Sequence, residues 1–339
     1  MALGLHLGVV GVGRIGAFHA ATLAGLDDVA ALSVADVDPE RAAEVAAELG
    51  ARAVADPGAL VAAGVDALVI AAPTHAHASL LRLAARAGLP AFCEKPVALD
   101  LPALDAVIEE VDRAGTLVQI GFQRRFDAGY LAAREAVAAG AAGELLVVRA
   151  ATHDPAPPPE AYIAGSGGIF RDLHIHDLDA IRFVTGEEVV EVYADGAVHT
   201  GWFARSGDVD VAAATLRLSG GTLAVLTGTR HDPLGYDVRL ELFGTGDSLA
   251  VGVDARSPYR SLEPGAARPQ QPYANFLERF EAAYRAELAA FVATVRDGGP
   301  SLCTLREARA ALVAALAADR SRAERRPVPV EEVTLAQTP

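Results

Sequence analysis

The 339-residue sequence predicts an α/β protein in two parts: a doubly wound parallel sheet, then a helix-backed, largely antiparallel sheet. Three observations carry this prediction. Apolar strands alternate with helical patterns over residues 5–120. A glycine-rich turn, Gly11-Val12-Gly13-Arg14-Ile15-Gly16, joins the first strand to the first helix. Beyond residue 189, short strands follow one another through glycine turns. The division is expected between residues 1–122 and 123–339.

Composition excludes several function classes. The chain is 52% hydrophobic, enough for a substantial core. A formal net charge of -15 argues against nucleic acid and anionic membrane surfaces, which would repel it. Two cysteines, Cys93 and Cys303, make no disulfide framework, so a reducing cytoplasm is expected. The apolar opening, residues 3–11, lacks a basic flank and a cleavage site and reads as a strand. No apolar run is long enough to span a bilayer.

The first strand, residues 5–10, leads through G-x-G-x-x-G into a helix over 15–26, the context a dinucleotide turn needs. Gly11 permits the tight turn, Gly13 lets backbone approach a pyrophosphate, and Gly16 lets helix pack on strand. The backbone of Val12, Arg14 and Ile15 completes the cradle, with free N–H groups at the helix start. A second strand, 29–35, ends at Asp36, where an acid would accept the adenosine ribose hydroxyls and repel a 2′-phosphate. NAD is therefore expected over NADP. Asp38 reads instead as the N-cap of the helix over 39–49.

A strand over 67–71, a helix over 76–87, a strand over 91–93, a helix over 101–114 and a strand over 117–120 complete the parallel pattern. Ligands bind at the carboxyl ends of such strands. Ala72-Pro73-Thr74-His75-Ala76-His77 lies at one end, with Ala72, Thr74 and His77 expected beside the cofactor; a His75/His77 metal pair is the less economical reading. Glu94-Lys95-Pro96 lies at another, with Glu94 and Lys95 also expected beside the cofactor. A lysine set directly after a buried strand points to function, against the blander reading of a salt bridge with Glu94. Cys93 reads as a small buried hydrophobe. Gly121-Phe122-Gln123-Arg124-Arg125-Phe126-Asp127 sits at the boundary, a position suited to substrate and cofactor contacts, with Gln123 expected beside the cofactor.

The second part opens with a helix over 130–139 and a strand over 145–151, then Thr152-His153-Asp154 and a proline-rich connector, 155–159. Paired glycines Gly167 and Gly168 precede a run with helical apolar spacing. On a single helix Asp172, His176 and Asp179 share one side, with His174 and Asp177 turned away. An imidazole flanked by carboxylates has the attributes of a general base. The alternatives are a solvated surface helix, or a His174/His176 metal pair, which would require extended chain. Strands follow over 189–197, 210–218, 222–229, 236–243 and 249–253, read as an antiparallel meander. Residues 256–271 are irregular, helices cover 275–296 and 305–322, and the charged tail 325–332 is expected at the surface.

Taken together, these motifs resemble the Gfo/Idh/MocA family of nicotinamide-dependent oxidoreductases, and within it the inositol 2-dehydrogenases. Glu94-Lys95-Pro96 matches the family's E-K-P, and Asp172 with His176 matches its D-x-x-x-H after paired glycines. Residues 121–127 are similar to the inositol dehydrogenases' G-F-M-R-R-[FY]-D, with Gln123 where they carry Met. The resemblance spans nearly the whole chain. It implies an N-terminal Rossmann domain and a C-terminal α/β domain with an open sheet that mediates dimers or tetramers. It implies Lys95, Asp172 and His176 as catalytic residues, NAD as cofactor, and no metal. It places Arg124, His153, Asp179 and Tyr236 near a polyol, with myo-inositol the expected substrate. Another sugar, or a non-catalytic NAD-sensing regulator, stands as the alternative.

Overall fold

The computed structural model describes residues 4–335. The chain divides into two compact units. One holds the chain up to Gln123 together with Ala282–Arg309; the other holds Arg124–Glu281 together with the chain from Ala310 onward.

The first unit runs β1 (Leu5–Val10), α1 (Arg14–Ala24), β2 (Val29–Ala35), α2 (Pro39–Leu49), β3 (Arg52–Ala53), α3 (Pro57–Ala62), β4 (Ala67–Ile70), α4 (Thr74–Ala87), β5 (Ala91–Glu94), α5 (Leu101–Ala114) and β6 (Val118–Gly121). Its six strands pair in parallel in the order β3-β2-β1-β4-β5-β6. This is the doubly wound arrangement the alternation predicts, with the strand order reversing between β1 and β4. β4 and β5 are buried throughout, which is why they carry almost no polar side chains. Asp38, Asp56 and Asp100 accept backbone N–H groups at the starts of α2, α3 and α5, each followed by proline in the first turn.

The second unit contains α6 (Ala128–Ala138), β7 (Leu145–His153), α7 (Glu160–Ser166), α8 (Ile169–Asp172), α9 (Ile175–Thr185), β8 (Val189–Ala197), α10 (Gly201–Arg205), β9 (Val211–Leu218), β10 (Leu223–Thr229), β11 (Asp237–Gly244) and β12 (Ser248–Val251). The chain continues through α11 (Phe276–Asp297) and α12 (Leu305–Glu324) to β13 (Val328–Pro329) and α13 (Val330–Leu335). The sheet order is β12-β11-β7-β10-β9-β8-β13. All pairs are antiparallel except β7 with β10. The expected meander holds for β8, β9 and β10. It then breaks, because β7, made earlier in the chain, inserts between β10 and β11. On β9 and β10 buried and open positions alternate, so this sheet is covered on one face only.

Two further departures have physical causes. The helix read over 275–296 is kinked at Phe280 (φ -114°, ψ 17°). Its later residues Leu288, Phe291 and Val292 pack into the core of the first unit with Val9, Leu23, Val34 and Phe92. The run after the paired glycines is not one helix: α8 and α9 are separate, with Leu173 and His174 at the joint.

Candidate active site

The glycine turn of the first unit is built for close approach. At Gly11 (φ +84°) a Cβ would lie 2.6 Å from the Cα of Ala72, and at Gly16 one would lie 1.9 Å from the carbonyl oxygen of Gly11. A Cβ at Gly13 would meet nothing within 4 Å. Gly13 is the N-cap of α1 and supplies no side-chain cap to the helix start, the end of the helix that favours an anion. This open, positively polarised cradle fits the pyrophosphate of a dinucleotide.

Asp36 ends β2 and braces the turn. Its Oδ2 accepts from Val12 N (2.7 Å) and its Oδ1 from Asp38 N (2.9 Å). Arg41 Nε donates to the carbonyl of Val12 at 3.1 Å. Asp38 accepts from Glu40 N and Arg41 N, as its N-cap reading requires.

At the end of β4, Thr74 opens α4, and the buried His77 ring spans two backbone carbonyls. Nε2 faces Ala72 O at 2.6 Å and Nδ1 faces Pro96 O at 2.8 Å. Burial pulls the pKa of His77 down against these two carbonyls, which favour the charged ring. His77 thus ties the end of β4 to the segment after β5, while His75 is exposed.

Glu94 is the last residue of β5 and is buried. Its Oε1 lies 2.6 Å from His19 Nε2, and its Oε2 accepts from Lys95 N at 3.3 Å. Lys95 is half-buried, and the Lys95–Pro96 peptide is cis. Cys93 is fully buried, and burial pushes its thiol well up, which fits the inert role expected of it. Gln123 is buried at the start of a 3-10 turn, Gln123–Phe126.

In the second unit, three carboxylates of the 172–179 stretch each meet an arginine. Asp172 accepts from Arg230 Nη2 (2.6 Å) and from the Tyr162 hydroxyl (2.8 Å). Arg230 Nη1 also donates to Asp154 at 2.6 Å. Asp177, fully buried, accepts from Arg124 Nη1 at 2.5 Å and lies 2.7 Å from His174 Nδ1. Thr152 donates to the same carboxylate, at 2.8 Å, and accepts from Arg124 Nη2 at 2.9 Å. Burial alone would raise the Asp177 carboxyl, but Arg124 and His174 overcome it and hold it at about 2. Asp179 pairs with both ends of the Arg125 fork, at 2.8 and 2.6 Å, and that guanidinium stacks 5.1 Å from the Phe183 ring.

The side assignment read from a single helix is corrected by this geometry. His174 and Asp177, read as turned away from that side, are fully buried and bonded to each other. Asp179, read as a second carboxylate beside His176, has both oxygens engaged by Arg125. The break between α8 and α9 and the arginines at 124 and 125 explain the difference. His174 packs so tightly on β10 that a Cβ at Gly228 would lie 2.4 Å from its ring. His176 is half-buried in the first turn of α9.

Of the remaining expected residues, His153 ends β7 with its Nδ1 3.4 Å from Asp237 and 4.0 Å from Asp232. Tyr236 is buried, its hydroxyl held protonated by that burial, and it stacks edge-on against Phe280 with centroids 6.4 Å apart. Among the described residues, the one grouping with metal-ligand spacing is His153, Asp232 and Asp237. It includes none of His75, His77, His174 or His176.

Sequence reasoning missed Tyr162 and Arg230 as partners of Asp172, and Asp154 as the second partner of Arg230. Arg230 had a signal: a charged residue directly at the end of an alternating strand, followed by His231 and Asp232. Its partners lie 58 and 76 residues away, which no periodicity reveals.

Comparison with known proteins extends this geometry. Residues 5–122 match the family described as "Oxidoreductase family, NAD-binding Rossmann fold", and residues 130–250 match "GFO/IDH/MocA C-terminal domain". A myo-inositol 2-dehydrogenase of Thermotoga maritima is 39% identical over 97% of this chain and 99% of its own. The myo-inositol dehydrogenase Hyg17 of Streptomyces leeuwenhoekii is 41% identical over 94% of this chain and 97% of its own. The crystal structure of a scyllo-inositol dehydrogenase from Lactobacillus casei, with bound NAD(H) and scyllo-inositol, superposes with a TM-score of 0.87. It is 31% identical and covers 97% of this chain and 99% of that one.

Proposed function

We infer from membership of the GFO/IDH/MocA oxidoreductases, the family to which this chain belongs, that the protein oxidises a secondary hydroxyl of a cyclitol with NAD, myo-inositol first among candidates. The observation that carries this reading is the full-length likeness to inositol dehydrogenases combined with E-K-P and D-x-x-x-H. Bound NAD, held by Gly11–Gly16, Asp36, Ala72, Thr74, Glu94 and Gln123, supplies the hydride acceptor.

The chain's own residues handle the proton. His176 accepts it from the reacting hydroxyl, with Asp172 orienting the imidazole. Arg230 and Tyr162 fix the Asp172 carboxylate. Lys95 donates a hydrogen bond to the same oxygen and stabilises the charge that builds there. Arg124, His153 and Tyr236 line the polyol side, whereas Asp179 is fully buried with both oxygens bonded to Arg125.

The ion pairs favour a neutral substrate. Arg124 and Arg125 together would suit a uronate, yet each guanidinium is already paired with a buried carboxylate. A polyol ring needs donors and acceptors rather than a net cation, and a site built to bond hydroxyls rejects analogues lacking them. The deciding measurement is kcat/KM for myo-inositol, scyllo-inositol, glucose and a uronate under one set of conditions. An inositol is expected to lead; a clear lead for glucose or the uronate overturns the cyclitol assignment.

The open sheet face supports a homodimer or homotetramer. Tyr193 (44% exposed), Leu223 (39%) and Val225 (37%) lie on it beside ion pairs such as Arg149–Glu241. A second copy of the chain would cover this face. No helix among the described residues is long and apolar enough to cross a membrane. Two buried free thiols suit a reducing cytoplasm.

A further inference from the structure

His19 lies in α1, and nothing in the reaction as described uses it. Its side chain is fully buried. Phe92 and Tyr284 pack edge-on against the ring, each with centroids 5.6 Å away, and Phe18 is tilted against it at 6.1 Å. Such a box is suited to an apolar ring. An imidazole there carries a desolvation cost that only a polar partner offsets. Its Nδ1 is buried without a protein partner, so the ring makes one polar contact, Nε2 with Glu94 Oε1 at 2.6 Å.

Glu94 in turn has little freedom. Its carboxylate is buried and reaches the Lys95 N–H with its second oxygen at 3.3 Å. A Cβ on Gly121 of the neighbouring strand would lie 3.2 Å from its Cδ and Oε1. On the far side of Lys95, the carbonyl of Pro96 is held by His77 at 2.8 Å. Lys95 therefore sits between two neighbours, each gripped by a buried histidine from a different helix.

We propose that His19 is a positioning residue for Lys95, acting through the Glu94 carboxylate. The inference rests on the reading of Lys95 as catalytic. The Nε2–H of His19 orients the carboxylate. That carboxylate fixes the Lys95 backbone through its N–H. Displacement of a catalytic group by about an ångström can lower a rate by about a hundredfold.

The test is a double-mutant cycle with His19→Leu, Glu94→Gln and both together, alongside His19→Gln and Lys95→Ala. The measurements are kcat on myo-inositol and the NAD dissociation constant by calorimetry. His19→Leu should lower kcat by about ten- to a hundredfold with NAD binding within about threefold of the parent. The double variant should be no worse than Glu94→Gln, because a residue acting only through its partner adds nothing once the partner is changed. His19→Gln, whose amide can donate from nearly the same place, should recover most of the rate. If His19→Leu fails to fold, a near-parental kcat in His19→Gln, together with a loss of kcat in Glu94→Gln that exceeds its loss of NAD affinity, still decides the matter. Three results would overturn the proposal: undiminished kcat in His19→Leu, losses that multiply in the double variant, or NAD affinity falling in step with kcat. If Lys95→Ala is crippled while His19→Leu is not, only the positioning role fails. A near-normal Lys95→Ala removes the catalytic reading of Lys95 and this role with it.

Discussion

The glycine turn of the first unit and the arginine–carboxylate groups of the second solve the same problem by opposite means. In the first, backbone presents the binding groups: Gly13 leaves open space and supplies no side-chain cap to the start of α1. In the second, side chains hold one another: Asp172, Asp177 and Asp179 are each locked by an arginine from another part of the chain. A backbone device depends on spacing within a few residues. A side-chain network depends on pairing across the fold, and every member is exposed to the cost of losing its partner.

This contrast can be tested, starting with the largest effect. Lys95→Ala and His176→Ala, one from each unit, should each lower kcat by about 10²- to 10⁴-fold while NAD binding stays near the parent value. Near-normal turnover in either would remove that residue from the chemistry.

Arg230→Met is expected to destabilise the protein by about 3–5 kcal/mol, because it takes this cation away from the buried Asp172 and the half-buried Asp154. Urea unfolding followed by tryptophan fluorescence measures this. A loss below about 1 kcal/mol would mean that water or another group replaces the guanidinium.

The network should also fail in acid. The folded-state carboxyl of Asp177 is depressed from 3.8 to about 2, so its stabilisation is fully present above pH 4 and is lost as pH falls toward 2. The group is worth about 2 kcal/mol over that window. Repeating the urea titration at pH 5, 4 and 3 on the parent and on Asp177→Asn should show a steeper decline for the parent.

The backbone device should behave in the opposite way. Gly13→Ala meets no atom within 4 Å, so the melting temperature should not change. NAD should nonetheless bind about tenfold more weakly, a difference of about 1.4 kcal/mol, since the methyl group occupies the space the pyrophosphate needs. Unaltered NAD affinity would contradict this use of the turn. The smallest effect is expected from Asp36→Ser, which should narrow the preference for NAD over NADP by a few-fold, about 1 kcal/mol, read as a ratio of kcat/KM values.

Much of the first unit was legible because its signals are local. The strand–turn–helix context and the cap at Asp38 each lie within a few residues of what they act on. The second unit was legible in its strands, but not in how its charged residues pair. Helical spacing treated 169–181 as one element, whereas burial of His174 against Gly228 and of Asp177 against Arg124 accompanies a joint at Leu173 and His174. The insertion of β7 beside β10 was invisible for a similar reason: strand patterns reveal faces, not neighbours.

The kinked helix α11 also bears on how the polypeptide matures. Leu288, Phe291 and Val292 complete the apolar interior around Val9, Leu23, Val34 and Phe92, yet the ribosome makes them only after β7 to β12. The nucleotide-binding half therefore waits, with an uncovered greasy patch, for the translation of nearly the whole chain. A truncated transcript ending near residue 122 should yield aggregates rather than a soluble fragment, and chaperone dependence during synthesis should fall once residue 292 has emerged.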